Sequence, residues 1–163
     1  MTIDVLNRLD REDAQAAFAR CCGSTSWARS MTMARPFASF DAMASAGDVI
    51  WRSLAPADWL EAFASHPKIG EQARGSAWSD REQSGMRTAA DDVRIRLASG
   101  NAEYLSRFGY IFIVCATGKS AEEMLAALEA RLTNDPAVEL RIAAEEQRKI
   151  TGIRLAKLMD GDS

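Results

Sequence analysis

Apolar residues recur three and four apart along most of the chain, the spacing that lines one face of an α-helix. Ile3, Leu6 and Leu9 predict a short first helix, and Ala14, Ala17, Phe18 and Cys21 a second that Gly23 interrupts. Trp27 and Met31 sit four apart ahead of Pro36. Phe40, Met43, Val49, Trp51 and Leu54 predict a further helix, with Gly47 inside it or near its end. After Pro56, residues 57–65 read as a short helix with Trp59, Leu60 and Phe63 as its apolar positions. It stops at His66-Pro67, because a residue preceding proline is pushed out of the α region. Residues 68–78, with Gly70 and Gly75, read as a loop. Ser79 to about Ser99 reads as a long helix, and Gly100 or Asn101 then caps a short one around Tyr104, Leu105 and Phe108.

The stretch from Tyr110 to Cys115 breaks this pattern, being β-branched and aromatic between Gly109 and Gly118. One strand has no partner in a helical chain, so the segment is expected to be buried and extended or helical, outside any sheet. Ser120 opens the next helix with Glu123 three residues on, a capping box. Asn134-Asp135-Pro136 closes that helix and starts the last one, Asp135 as N-cap and Pro136 as its first residue. Val138, Ile142, Ile150, Ile153, Leu155 and Leu158 supply the apolar positions of the last helix. The expected fold is all-α, a multi-helix bundle forming a single domain over residues 1–163.

Composition agrees with a folded domain. Of 163 residues, 47% are hydrophobic and 26% charged, enough apolar mass to offset chain entropy. The formal net charge of −3 leaves no basic footprint for nucleic acid. Three cysteines, Cys21, Cys22 and Cys115, are odd in number and two are adjacent, a poor disulfide framework that fits a reducing, cytoplasmic setting. With one histidine and no CxxC, no metal site is expected. The first residues, MTIDVLNRLDREDAQ, carry acids and no apolar core, unlike a secretory signal, and no stretch approaches the length of a membrane span.

Three places could carry chemistry. His66 sits at a helix end locked by Pro67, and imidazole exchanges protons near neutral pH; the alternative is a helix-end residue bonded to a free carbonyl. Ser79 and Glu82 form an S-x-x-E capping box, and the helix start they would cap could also receive an anion. Glu82 could share a proton with His66 if the fold brings them together. Arg154 shares a helix face with Ile150, Thr151 and Leu158, either as an anchor for substrate oxygens or as a surface arginine lying along apolar neighbours. Trp27, Trp51, Trp59 and Phe63 read as core, and the run from Glu145 to Lys149 as a solvated helix face. No GxGxxG, phosphate loop or GxSxG elbow is present.

Four motifs in order carry a resemblance: His66-Pro67-Lys68-Ile69-Gly70, Ser79-Asp80-Arg81-Glu82-Gln83, Arg107 through Ala116, and a tail from Glu139 to Leu158 that includes Arg154. Together, over Leu6 to Leu158, they resemble OHCU decarboxylase (2-oxo-4-hydroxy-4-carboxy-5-ureidoimidazoline decarboxylase), which catalyses the last step from urate to S-allantoin. The tail is especially similar to the decarboxylase half of plant allantoin synthases, which are fused to a transthyretin-like hydrolase. At Ile111, where many members have proline, the chain follows the plant-type aliphatic choice. The resemblance implies an all-helical fold, a homodimer, and decarboxylation without metal or organic cofactor. It puts the catalytic histidine on His66 and its partner glutamate on Glu82. Substrate contacts fall on Pro67, on Ser79, Asp80, Arg81 and Gln83, on the backbone of Phe112, Ile113, Val114, Cys115 and Ala116, and on Arg154. The implied partner is the small-molecule ureidoimidazoline, with functional coupling to the hydroxyisourate hydrolase that precedes it, and with neither nucleic acid nor membrane.

Overall fold

Among the described residues, six helices begin on a residue whose side-chain oxygen accepts from the backbone N–H three positions on. Thr2, Asp10, Ser24 and Ser39 do this for α1 (Ile3–Arg8), α2 (Arg11–Cys21), α3 (Thr25–Ala34) and α4 (Phe40–Ser53). Thr88 and Ser120 do it for α6 (Ala89–Phe108) and α7 (Ala121–Arg131), each within a reciprocal capping box. Such caps satisfy donors that the first helical turn leaves unpaired. α5 (Pro56–Ala64) starts instead on proline, with Asp58 reaching back to the Ala55 N–H at 3.3 Å. α8 (Pro136–Asp160) follows Asp135, whose carboxylate accepts from Ala137 N–H at 3.2 Å. The structure, a computed structural model, describes residues 1–67 and 88–160; among them all regular elements are helical.

These helices fall into two compact units. The first takes Met1–Ser65 and the chain from Ala144 onward; the second is His66–Ala143. α8 therefore contributes its opening turns to the second unit and the rest to the first.

In the first unit, α3 packs on α2, α4 and α5. Trp27 is fully buried at its centre, edge-on to Phe18, which is in turn edge-on to Phe37. An indole carries one N–H that burial must not strand, and here each finds a helix carbonyl. Trp27 donates to Gly47 O at 3.1 Å, Trp51 to Ala144 O at 2.9 Å, and Trp59 to Trp51 O at 3.0 Å. Trp27, Trp51 and Phe63 are core as expected, and Trp59 is half-buried. Three apolar positions that the spacing counted as helix-face residues point to solvent, Val49 and Leu60 here and Val138 in the second unit; Ala62 and Phe63 carry the buried face of α5. Arg35 ties the end of α3 to α1, its Nη1 donating to both Leu6 O and Leu9 O at 2.8 Å.

In the second unit α6 packs on α7 over Leu97, Tyr104, Phe112, Val114, Leu125 and Leu128. Here the expected helix break is corrected. Gly100 and Asn101 lie inside one continuous helix and are both buried. The glycine serves packing: a Cβ at Gly100 would sit 2.6 Å from Leu128 Cδ2 and 3.2 Å from its Cγ. Glycine costs about 1 kcal/mol of helix propensity, and the close approach of α7 offsets it. α6 ends at Gly109, in the left-handed region at φ 85°, its N–H bonded to Leu105 O at 2.9 Å. The stretch expected from Ser79 to Thr88 lies mostly outside the described residues; the described helix starts at Ala89.

The strand-like segment is, as expected, no strand. Residues 111–116 have no regular structure, and Phe112, Ile113, Val114 and Cys115 are buried. The capping box at Ser120 and the start of α8 at Asp135-Pro136 also stand where the sequence puts them. The Glu145–Lys149 run does not stay solvated: Gln147 is fully buried and Glu146 nearly so, while Lys149 remains exposed and pairs with Glu146 at 2.6 Å. Gln147 can enter the interior because its Nε2 donates to the Thr151 hydroxyl at 3.0 Å, one turn along the helix.

Gly100→Ala tests the helix contact. It should lower stability by about 1–2 kcal/mol despite the better helix propensity, because the core around Leu128 is filled. In a double-mutant cycle read by urea unfolding, Leu128→Ala should relieve most of that clash.

Candidate functional site

α5 is the element from which His66 departs, and its last turns are tightly braced within the first unit. The Thr25 N–H and hydroxyl both donate to the Glu61 carboxylate, at 3.0 and 2.7 Å, and Ser26 Oγ donates to Asp58 at 3.1 Å. Ser65, the C-cap, turns its hydroxyl back onto Ala62 O at 2.7 Å. Its side chain fills the space where a Cβ on Gly23 would come within 2.4 Å of Ser65 Oγ. The chain then enters His66, which is half-buried, and Pro67, which is exposed. A histidine fixed at the end of a braced helix and partly open to solvent is suited to proton transfer.

Phe112 through Ala116 belong to the second unit, as does His66. Two carbonyls of this segment are held by cations: Arg131 Nη1 donates to Ile113 O at 2.8 Å and Lys119 Nζ to Cys115 O at 3.1 Å. Ala116 is exposed, at the mouth of the segment. Among the described residues, the N–H groups of Phe112, Ile113 and Val114 donate to no backbone carbonyl. Buried N–H groups demand acceptors, so this segment is built unlike the helices on either side of it.

Arg154 lies on α8 in the first unit, half-buried. Among the described residues, no carboxylate comes within ion-pair distance of it. Its charge faces the thiols of Cys21 and Cys22, the last residue of α2 and its C-cap. Burial pushes the Cys21 thiol up to about 11, from 9.0, against the opposing pull of Arg20 and Arg154. Cys22 is raised by burial as well, although Thr151 bonds to it. All three cysteines are buried and none forms a disulfide. Ser79, Asp80, Arg81, Glu82 and Gln83 lie outside the described residues. Among those described, no three His, Cys, Asp or Glu side chains converge to hold a metal ion.

Sequence reasoning missed the polar centre of the second unit. Glu139 is fully buried and its Oε2 accepts from Arg131 Nε at 2.9 Å, from Arg131 Nη2 at 2.6 Å and from the Tyr104 hydroxyl. Its Oε1 accepts from Asn134 at 3.1 Å. The Arg131 guanidinium stacks 4.4 Å over the Phe112 ring. Burial and the adjacent Glu139 carboxylate raise the Tyr104 hydroxyl well above its usual range, so it stays a donor. An acid in the first turn of a helix reads as an ordinary partner of the helix dipole, which is why Glu139 gave no signal.

The OHCU decarboxylase family model matches residues 7–156. The chain belongs to the OHCU decarboxylase family. It is 41% identical over 145 residues to a uric acid degradation bifunctional protein of Arabidopsis thaliana, a match covering 85% of this chain and 45% of that protein. It is 35% identical over 132 residues to the 2-oxo-4-hydroxy-4-carboxy-5-ureidoimidazoline decarboxylase of Amia calva, covering 77% and 75% of the two chains. A crystal structure of an OHCU decarboxylase solved in the presence of (S)-allantoin superposes with a TM-score of 0.74 at 40% identity, covering 88% of this chain and 96% of that one. The all-helical architecture is thus that of the OHCU decarboxylase fold. The chain spans less than half the length of the plant protein, and the family match runs through both compact units.

The buried thiols give a pH prediction. A thiol ionises to a charge, so a native pKa above the unfolded one means the unfolded state loses protons first as pH rises. Stability is fully present below pH 9, the unfolded value, and falls as pH climbs toward 11. Urea midpoints measured from pH 8 to 10 should fall more steeply for the wild type than for Cys21→Ala; identical slopes would show that Cys21 titrates alike in both states.

Proposed function

We propose that this chain decarboxylates 2-oxo-4-hydroxy-4-carboxy-5-ureidoimidazoline to S-allantoin in urate degradation, with His66 moving the proton and Glu82 assisting it. Membership of the OHCU decarboxylase family is the observation that carries the reaction class, a carbon–carbon lyase. The relatives named for ureidoimidazoline decarboxylation and uric acid degradation support the substrate. The 163 residues act in this reading as a single domain of that type, since one family model runs from residue 7 to residue 156.

The substrate's own chemistry makes the step simple. Its carboxylate sits on a hydroxyl-bearing carbon next to a ring imine. When the carbon–carboxylate bond breaks, CO2 leaves and the electron pair passes toward the adjacent C=N, whose nitrogen takes up the charge. That nitrogen takes a proton, and an enol is left behind. The enol becomes the ring carbonyl as its O–H proton leaves and a proton reaches one face of the ureido-bearing carbon, which sets a single configuration. The substrate is its own electron sink, and the reading calls for no cofactor. What remains for the protein is to hold the carboxylate out of the ring plane, to polarise the ring, and to present one proton donor.

The side chains fit these tasks. His66 is the only histidine, half-buried at the end of a braced helix. Glu82 orients the imidazole or holds its charge. Arg154, half-buried and without a described carboxylate partner, has its donors available for substrate oxygens. The family resemblance assigns further substrate contacts to Pro67, Ser79, Asp80, Arg81 and Gln83. The backbone of Phe112, Ile113, Val114, Cys115 and Ala116 offers N–H and C=O groups to the ureide ring, supported by the N–H groups that no described backbone carbonyl accepts. Three buried cysteines outside any disulfide support a reducing, cytoplasmic setting. No described helix is long and apolar enough to cross a membrane. The bifunctional relative supports functional coupling to the preceding hydrolase, and the family resemblance supports a homodimer.

The test generates the ureidoimidazoline in situ from urate with urate oxidase and hydroxyisourate hydrolase. Substrate absorbance and the circular dichroism of allantoin then follow the reaction. Wild-type protein should give fast decay to optically active S-allantoin. His66→Ala and Glu82→Ala should lose nearly all turnover while keeping the wild-type far-UV spectrum. Slow decay to racemate with wild-type protein would overturn the reaction, and near-wild-type turnover in either variant would overturn that residue's role.

A further inference from the structure

We infer that Arg131 is a positioning residue for the substrate, acting through the Ile113 carbonyl to aim the Val114 N–H. The inference rests on the reading that the segment from Phe112 to Ala116 meets the ureidoimidazoline.

Arg131 and Glu139 form an ion pair whose side chains are 9% and 0% exposed. Stability alone is a weak reason to keep such a pair, because its desolvation cost rivals its attraction and apolar replacements often do as well. The geometry gives it a different task. Two guanidinium nitrogens, Nε and Nη2, are spent on Glu139. The face of the group lies on Phe112, and the remaining terminal nitrogen, Nη1, donates to Ile113 O at 2.8 Å. Tyr104 and Asn134 complete the hold on the carboxylate, so the guanidinium itself cannot swing.

A peptide unit is planar, and in the trans form its C=O and N–H point in opposite directions. Fixing the Ile113 carbonyl therefore fixes the N–H of Val114 on the far side of the same plane. That N–H donates to no described backbone carbonyl. In a segment without helix or strand bonds to set its peptide planes, a side chain must set them. Arginine can do so because its planar fork reaches two acceptors while its face stacks; a lysine ammonium has no such geometry.

The experiment compares wild type with Arg131→Lys and with the paired Arg131→Met and Glu139→Leu variant, which removes the same donor without stranding a buried charge. Each is read by amide hydrogen exchange and by steady-state kinetics on the ureidoimidazoline. The expected result is faster exchange confined to the peptides spanning 110–117, with α6 and α7 still protected. KM should rise about tenfold with kcat held within about twofold, the signature of one lost ground-state contact. Arg96→Ala, which removes an exposed ion pair to Glu129 between α6 and α7, should leave both readouts at wild-type values. Wild-type KM in both Arg131 variants would overturn the inference, as would exchange rising across α6 and α7 with kcat and KM lost together. A wild-type protein inactive on the ureidoimidazoline would instead sink the reading beneath it, whatever the variants did.

Discussion

A carboxylate with no exposed surface, Glu139, dictates much of what the second unit does. A charge removed from water must be fully bonded or it neutralises. Glu139 meets that demand with donors from three places in the sequence: Tyr104 on α6, Arg131 at the end of α7, and Asn134 in the connection to α8. The acid is thus a junction. It fixes where α6 and α7 meet the start of α8, and through Arg131 it reaches the irregular segment that follows α6. The aromatic cluster of Tyr104, Phe108, Tyr110 and Phe112 surrounds this junction and keeps water from competing for it.

The helices were largely legible because their signals are local. Periodicity, capping boxes and proline placement act over a few residues, and the positions of α1, α2, α5, α7 and the start of α8 follow from them. The strand-like run from Tyr110 to Cys115 was legible by elimination, for lack of any partner strand. Gly100 was misread because its reason lies elsewhere in the chain: the glycine answers to Leu128. Glu146 and Gln147 were misread for a similar reason, since a polar residue's right to be buried depends on partners that composition does not show.

Site legibility divides the same way. His66 and Arg154 stand out by residue type and setting, and the family motifs put Glu82 beside His66 in function. The buried pair of Arg131 and Glu139 stayed hidden, because an arginine late in one helix and a glutamate early in the next are each commonplace. Only the fold makes them one group.

The first unit is discontinuous in sequence, and this has a consequence for the order in which the chain can mature. The Trp51 indole finds its acceptor at Ala144, 93 residues later. Leu155 and Leu158 join the same core from the last helix. A ribosome releasing the chain from its N-terminus delivers the whole of the second unit before it delivers these closing pieces. The second unit, contiguous in sequence, can mature first on the nascent chain, whereas the first unit waits with part of its apolar surface uncovered. Termination or cleavage ahead of Ala144 would leave Trp51 exposed on an incomplete core, a species suited to chaperone capture or proteolysis.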